Sequence, residues 1–317
     1  MAIEHACVRY VSKPWGLTDL RPFGDNGSGE PIGELWFTRF AGAPKPALLL
    51  KLLFTSEPLS IQVHPTDGYA ASIGLPNGKS EAWYILAAAP NAKVAAGLKR
   101  RLSPTDLRAA IEDGSIVEIV HWRPVVTGDV ISVPAGTIHA IGAGLVLAEI
   151  QQNSDATFRI FDFGRGRELH VDDAVAAANA GPAGPPALPY GLSQARTLLV
   201  ASAFFVIERV NLAAGSSWSI DAEGETWLLV LDGDAGIGSL NAVTGQAVFL
   251  DAAQAMMTIG TSGLVGLLAY RATGPVRGLL REDRDRPSAR SARPPAVHRL
   301  GRARASSPGI INRSVRS

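Results

Sequence analysis

The sequence contains a single cysteine, Cys7, in 317 residues. An internal disulfide is excluded, as is a thiolate metal cluster, so any metal must be held by imidazole, carboxylate or amide groups. Such a chain suits a reducing compartment. Long apolar runs are also missing: no window approaches the ~20 apolar residues that span a bilayer. The first residues, Met1-Ala2-Ile3-Glu4-His5, carry no basic stretch followed by an apolar one. The expectation is a soluble, cytoplasmic protein with no membrane partner. No Gly-x-x-x-x-Gly-Lys-Ser/Thr run follows a strand-like segment, which leaves nucleotide-dependent chemistry unsupported. Histidine and cysteine are both absent between His170 and His298. Metal chemistry therefore belongs to the first half.

What is present fits two ordinary domains. Hydrophobic residues make up 46% and charged residues 19%, enough to bury a core in each. Gly 33 and Pro 21 exceed the roughly 12% of an average chain and favour many turns over long helices. The formal charge of +1 hides an asymmetry. Ten arginines against three acidic residues lie in Arg281 to Ser317, while the rest has 20 basic against 26 acidic residues. An acidic body does not invite nucleic acid, and the Pro/Ser/Ala-rich composition of the end predicts a solvated, disordered tail.

Short β-branched runs between turn residues predict strands at Ser60 to His64, Ala82 to Leu86, Val94 to Gly97 and Asp129 to Val133. One helix stands out: Ser103 as cap, Pro104 in the first position, Asp106 completing the box and Asp113-Gly114 as the stop. A weaker one starts near Pro65-Thr66-Asp67. Gly-Pro-Ala-Gly-Pro-Pro-Ala-Leu-Pro, residues 181–189, holds neither a helix nor an inner strand and marks a linker. Beyond it, Thr197 to Val210, Glu225 to Leu231, Ala247 to Leu250 and Leu264 to Tyr270 predict a small all-β domain.

Alternation along Ser60-Ile61-Gln62-Val63-His64 puts Ser60, Gln62 and His64 on one face. The same rule aligns Lys79 with Glu81 at the start of an apolar strand. In the run from Gly128 to His139, a Gly-Asp turn launches a strand, Pro134-Ala135-Gly136 turns the chain and His139 opens the next strand. The spacing of Gly128, Pro134, Gly136 and His139 resembles the second motif of the cupin superfamily, whose small β-barrels hold a metal among inner strands. That motif commonly ends in Asn where this chain has Ala143.

A more specific resemblance rests on six blocks in order. They are Lys13-Pro14-Trp15-Gly16, Gly33-Glu34-Leu35-Trp36, Leu59 to Pro65, Gly78 to Ile85, Pro134 to Gly142, and Glu149 to Arg159. Together these resemble type I mannose-6-phosphate isomerases (phosphomannose isomerases) of the short bacterial form, up to about Leu280. The resemblance implies a mainly β fold of two cupin-like jelly-roll barrels, with a few helices inserted in the first. With the linker and tail read from composition, the expected division is a catalytic domain at 1–180, a linker at 181–196, a metal-free cupin-like β domain at 197–280 and the basic tail at 281–317.

It also implies one Zn²⁺ held by Gln62, His64, Glu81 and His139, a set that would accept Mn²⁺, Fe²⁺ or Co²⁺ as well. Arg159 coincides with the arginine regarded as catalytic in the family, suited to stabilising an enediolate oxygen or to orienting phosphate. For the proton shuttle the resemblance points to Asp155 and Lys79 without choosing between them. Ser60, Lys79 and Arg159 are the phosphate candidates, with Lys51 a weaker fourth. Longer relatives carry a histidine directly before the lysine, where this chain has Gly78. Trp15, Trp36 and Trp83 read as packing, and His5, His121, His170 and His298 as surface or linker residues. The expected activity interconverts mannose 6-phosphate and fructose 6-phosphate. The competing readings are a cupin dioxygenase and a sugar-binding or sensor module with a structural metal.

Overall fold

The computed structural model describes residues 1–27 and 29–283. His298 and the expected tail from residue 284 onward lie outside the described residues. The chain opens with β1 (Ala2–His5), β2 (Cys7–Leu17), β3 (Ile32–Thr38), β4 (Leu48–Thr55) and β5 (Ile61–Val63). Helix α1 (Asp67–Ser72) leads to β6 (Glu81–Ala88) and β7 (Lys93–Leu98), and α2 (Pro104–Glu112) and α3 (Ile116–Ile119) precede β8 (Val120–Pro124). Next come β9 (Val130–Val133), β10 (His139–Ile141), β11 (Leu145–Gln152), β12 (Phe158–Phe161) and α4 (Val171–Ala177). The second half contains β13 (Tyr190–Gly191), β14 (Arg196–Ala201), β15 (Val206–Leu212), β16 (Ser217–Ala222) and β17 (Thr226–Ile237). It ends with β18 (Leu240–Val243), β19 (Ala247–Asp251), β20 (Ala253–Tyr270) and β21 (Leu280–Glu282).

The mainly β expectation holds, but in place of two closed barrels the described strands form three sheets. In the first half β2-β3-β4-β11-β6-β9 make a six-stranded sheet and β12-β5-β10-β7-β8 a five-stranded one; a ten-stranded sheet serves the second half. Side-chain packing, not hydrogen bonding, closes the space between the first two. Alternation along each strand sends one set of side chains inward and the other out. Leu53, Trp83, Ile85, Val94, Ile131, Ile141 and Leu147 fill the space between the two first-half sheets. The outer face of the five-stranded sheet, through Ile61 and Val63, meets Leu107 and Ile111 of α2 and Ala174 of α4. The other face of the six-stranded sheet, through Phe37, Leu50, Leu52 and Phe54, packs on Trp227, Phe249 and Leu267 of the second half.

The two helices read from the sequence are present. Ser103 Oγ accepts from Asp106 N at 3.1 Å at the start of α2, and Thr66 Oγ1 accepts from Tyr69 N at 3.3 Å at the start of α1. Helices α3 and α4 were not anticipated, and neither has a side-chain cap to announce it. The expected linker is not a free tether: Pro182 bridges to Gly97, and Leu98 N donates to Gly181 O at 2.9 Å. Gly97 has φ +72°, and a Cβ there would lie 2.1 Å from Ala183 N, so only glycine admits this crossing. Tyr190–Gly191, within the expected linker, pairs with β14, and Leu280–Glu282, at the expected start of the tail, pairs with β16. The first strand, β1, leaves its own half and pairs with β19, Ala2 opposite Asp251 and His5 opposite Val248.

Candidate metal centre and active site

The centre lies between the two first-half sheets. From the five-stranded sheet, β10 sets His139 opposite Gln62 of β5, and His64 follows directly after β5. From the six-stranded sheet, Glu81 opens β6. His64, Glu81 and His139 are each 1% exposed, and one ligand atom from each lies within 4.8 Å of the others. His64 Nε2 is 3.2 Å from Glu81 Oε2, and His139 Nε2 is 3.4 Å from Oε1. The carbonyls of Ala156 and Thr137 each lie 2.8 Å from an Nδ1, of His64 and His139 respectively. A carbonyl only accepts, so each Nδ1 carries the proton and each Nε2 turns a lone pair towards the carboxylate.

Lone pairs facing carboxylate oxygens call for a cation between them, and that is the test these donors pass. Burial, reinforced by Lys79, pushes the His64 imidazolium down to about 3, and burial lowers His139 as well, so both rings are neutral ligands at pH 7. Burial works against the Glu81 anion, yet the Lys79 ammonium holds its carboxyl well below the usual range. Lys79 Nζ stands 2.8 Å from both His64 Nε2 and Glu81 Oε2. Its approach to Oε2 is close but poorly directed, leaving that buried oxygen without a proper hydrogen bond. The Gln62 amide lies 3.3 Å from His139 Nε2 and takes a bond from Ser60 Oγ at 3.1 Å. Turned by half a rotation, a carboxamide presents oxygen in place of nitrogen, which is what a ligand role requires. The buried trio of His64, Glu81 and His139 therefore fits a divalent metal ion.

Above the centre opens a cavity of about 460 Å³. Every site residue read from the sequence outside the His–Glu–His trio lines it: Ser60, Gln62, Lys79, Asp155, Arg159 and, as the weaker candidate, Lys51. Arg159 lies opposite Gln62 in the β12–β5 pairing and so shares its face. Asp155 is exposed at the rim, where a second cavity of about 300 Å³ begins.

Several contributors escaped the sequence reading. Glu149 is 4% exposed and sits in a row across the sheet, opposite Lys51 on one side and Trp83 on the other. Its carboxyl is raised above the usual range by burial and the nearby Glu81 charge, against the pull of Lys51. His170, expected at the surface, lines the cavity with Nδ1 3.1 Å from the Arg159 backbone N–H. Trp83 packs as expected but also donates Nε1–H to Glu81 Oε1 at 3.1 Å, and Trp15 and Trp36 line the cavity. Lys51 Nζ lies 4.7 Å from the Trp36 ring centre.

Two apposed sheets clasping a buried His–Glu–His trio beneath a polar, cation-rich cavity define a β protein with a candidate metal-centred catalytic pocket. No family model matches the chain. Its sequence is 38% identical over 200 residues to the mannose-6-phosphate isomerase of Streptococcus mutans, covering 58% of this chain and 62% of that protein. A mannose-6-phosphate isomerase of Bacillus subtilis is 34% identical over 206 residues, covering 60% and 64%. The matched region thus spans less than two thirds of these relatives. A solved mannose 6-phosphate isomerase from Bacillus subtilis superposes with a TM-score of 0.74 at 25% identity, over 85% of this chain and all of that one. A putative mannosephosphate isomerase structure from Archaeoglobus fulgidus shares the fold at 18% identity with a TM-score of 0.65, over 85% and 97%. The resemblance read from the six blocks is therefore present in both sequence and fold.

Proposed function

We propose that the chain is an aldose–ketose isomerase interconverting mannose 6-phosphate and fructose 6-phosphate. In this reading the two halves are cupin-like jelly rolls, the first catalytic, and the protein works in the cytoplasm. Zinc is held by Gln62, His64, Glu81 and His139. One observation carries the reading: a buried imidazole and carboxylate trio lies beneath a cavity lined by the permanent cation of Arg159 and by the buried Glu149. The names of the relatives supply the substrate.

The reaction moves one proton between C2 and C1 through an enediol(ate) while hydrogen shifts between O1 and O2. Bound to the four ligands, a divalent ion supplies Lewis acidity towards the sugar oxygens. Arg159 stabilises negative charge developing on oxygen, where a fixed positive group contributes most. The proton on carbon needs a carrier that reaches into the cavity. Lys79, Asp155 and the buried Glu149, whose carboxyl is raised by burial, all line it and are the candidate carriers. Of the three, Lys79 stands at the ligand end and Asp155 at the exposed rim. Ser60, Lys79 and Arg159 contact the substrate.

An assay coupling mannose 6-phosphate consumption to fructose 6-phosphate formation tests the reading. Activity should disappear on chelation and return with Zn²⁺. A protein that binds zinc stoichiometrically and isomerises nothing would instead be a binding module with a structural metal.

A further inference from the structure

A separate cavity of about 470 Å³ lies where the two halves meet, and it shares no lining residue with the catalytic one. The first half contributes Lys45, Asn153 and, from the segment around α1, Asp67 and Asn77; the second contributes Phe204 and Arg271. Lys45 stands between Pro44 and Pro46 in the loop that enters β4, where two prolines restrict the backbone. Phe204 sits in the turn between β14 and β15. Ser202 Oγ fixes that turn by accepting from Phe204 N at 3.1 Å and from Phe205 N at 3.0 Å. Arg271 follows β20, and its backbone N donates to Glu225 O at 3.3 Å.

Each half brings one cation to this cleft. Lys45 and Arg271 are exposed, and among the described residues neither has an acidic partner within ion-pair distance. The one carboxylate in the lining, Asp67, is already engaged: its Oδ1 accepts from Gly78 N at 2.7 Å and from Gln152 Nε2 at 3.0 Å. Gln152 Oε1 in turn accepts from Ser80 N at 2.8 Å, so the back wall is preformed. Two carboxamides are oriented in the same manner. Asn77 Nδ2 donates to Gly78 O and Asn153 Nδ2 to Pro46 O, each at 2.8 Å, which leaves both Oδ1 atoms free to accept. The half-buried Phe204 ring adds an apolar surface.

From this set we infer that the cleft between the halves binds a small phosphorylated polyol. Its phosphate lies between Lys45 and Arg271, its hydroxyls donate to Asn77 and Asn153, and its carbon face rests on Phe204. A phosphate monoester carries about −1.5 to −2 at neutral pH, which matches two cations that lack counter-charge. The planar Arg271 guanidinium addresses two phosphate oxygens at once, and Lys45 acts as a point charge. An apolar surface with a few placed polar groups is the usual make-up of a small-molecule site. Because the two cations come from different halves, the bound ester joins them, and a ligand held only by the folded chain stabilises it by mass action. None of these residues lines the catalytic cavity, so the inference stands apart from the isomerase reading.

The experiment titrates the full, metal-loaded chain calorimetrically with sorbitol 6-phosphate, a phosphorylated polyol with no carbonyl to isomerise. The parent should fill two sites, one in the catalytic cavity and one in the cleft. Arg271→Ala and Lys45→Ala should each weaken one of the two about 10- to 100-fold, the loss expected of charge-assisted bonds, with kcat and KM for mannose 6-phosphate at parental values. Arg271→Lys should restore part of the affinity, and the ester should raise the melting temperature of the parent more than that of either Ala variant. Inorganic phosphate should occupy the cleft about tenfold more weakly than the ester; equal affinity would overturn the roles given to Asn77, Asn153 and Phe204. Sites of unaltered affinity in both Ala variants overturn the cleft and leave the isomerase reading intact. A parent that binds the ester through Arg271 and Lys45 but converts no sugar refutes the isomerase reading only.

Discussion

At the residue scale, the centre depends on what holds its ligands still. Glu81 faces the two imidazoles with both oxygens, and Trp83, two residues along the same strand, donates to Oε1 at 3.1 Å. Partners of this kind orient a ligand, and their loss commonly weakens metal binding 10- to 100-fold. Trp83→Phe removes the N–H and also trims a fully buried indole to a single ring, so the cavity it leaves should lower the melting temperature of the metal-free protein. Beyond that, it should lower zinc affinity by about tenfold in a competitive chelator titration. An unchanged affinity would mean that the indole serves only as packing. Glu149 shows why part of the site was hidden in the sequence. It opens the last of the six blocks, yet along Leu145 to Gln152 it looks like one polar residue in an apolar strand. Its meaning comes from the neighbours Lys51 and Trp83 across the sheet, and register between distant strands is not written in local alternation. His170 was hidden for a similar reason, since its partner is a backbone N–H and not a residue at ligand spacing.

At the element scale, the segment between α1 and β6 carries Lys79 to the ligands, and Gly78 is its hinge of contact. A Cβ on Gly78 would lie 2.5 Å from Pro65 O and 2.7 Å from Asp67 N. Gly78 N donates to Asp67 Oδ1 at 2.7 Å, and Lys79 N to Pro65 O at 3.0 Å. The histidine that longer relatives place here has no room in this chain. Gly78→Ala should push the segment off α1, lowering activity through a misplaced Lys79 and costing about 1–3 kcal/mol, as overpacking does, in a denaturant titration. A variant of parental stability and rate would show that the loop yields freely. The strands and the capped helices were legible because alternation and capping are local signals. Three sheets in place of two barrels were not, because closure depends on which edges meet.

At the scale of the whole molecule, the two halves are joined by more than apolar packing. Glu225, next to β17, accepts from Ala47 N at 2.7 Å, Leu48 N at 2.8 Å and Trp227 Nε1 at 3.1 Å. One carboxylate thus ties the start of β4 to the second half. Glu225→Ala would strand three donors, and it should cost about 1–3 kcal/mol of global stability while leaving KM unaltered. Equal unfolding midpoints for variant and parent would show that water replaces the carboxylate without loss.

The pairing of β1 with β19 also has a bearing on how the protein is made. Ala2 to His5 are synthesised some 240 residues ahead of their partners, Val248 to Asp251. At ~5–20 residues per second this is a wait on the order of ten to fifty seconds. For that time the segment is an unpaired edge of the kind that invites association with other nascent chains. Its brevity and the charge of Glu4 limit that hazard. The second half cannot complete its sheet until the two meet, so the slowest step of maturation should be a long-range strand capture across the finished catalytic half.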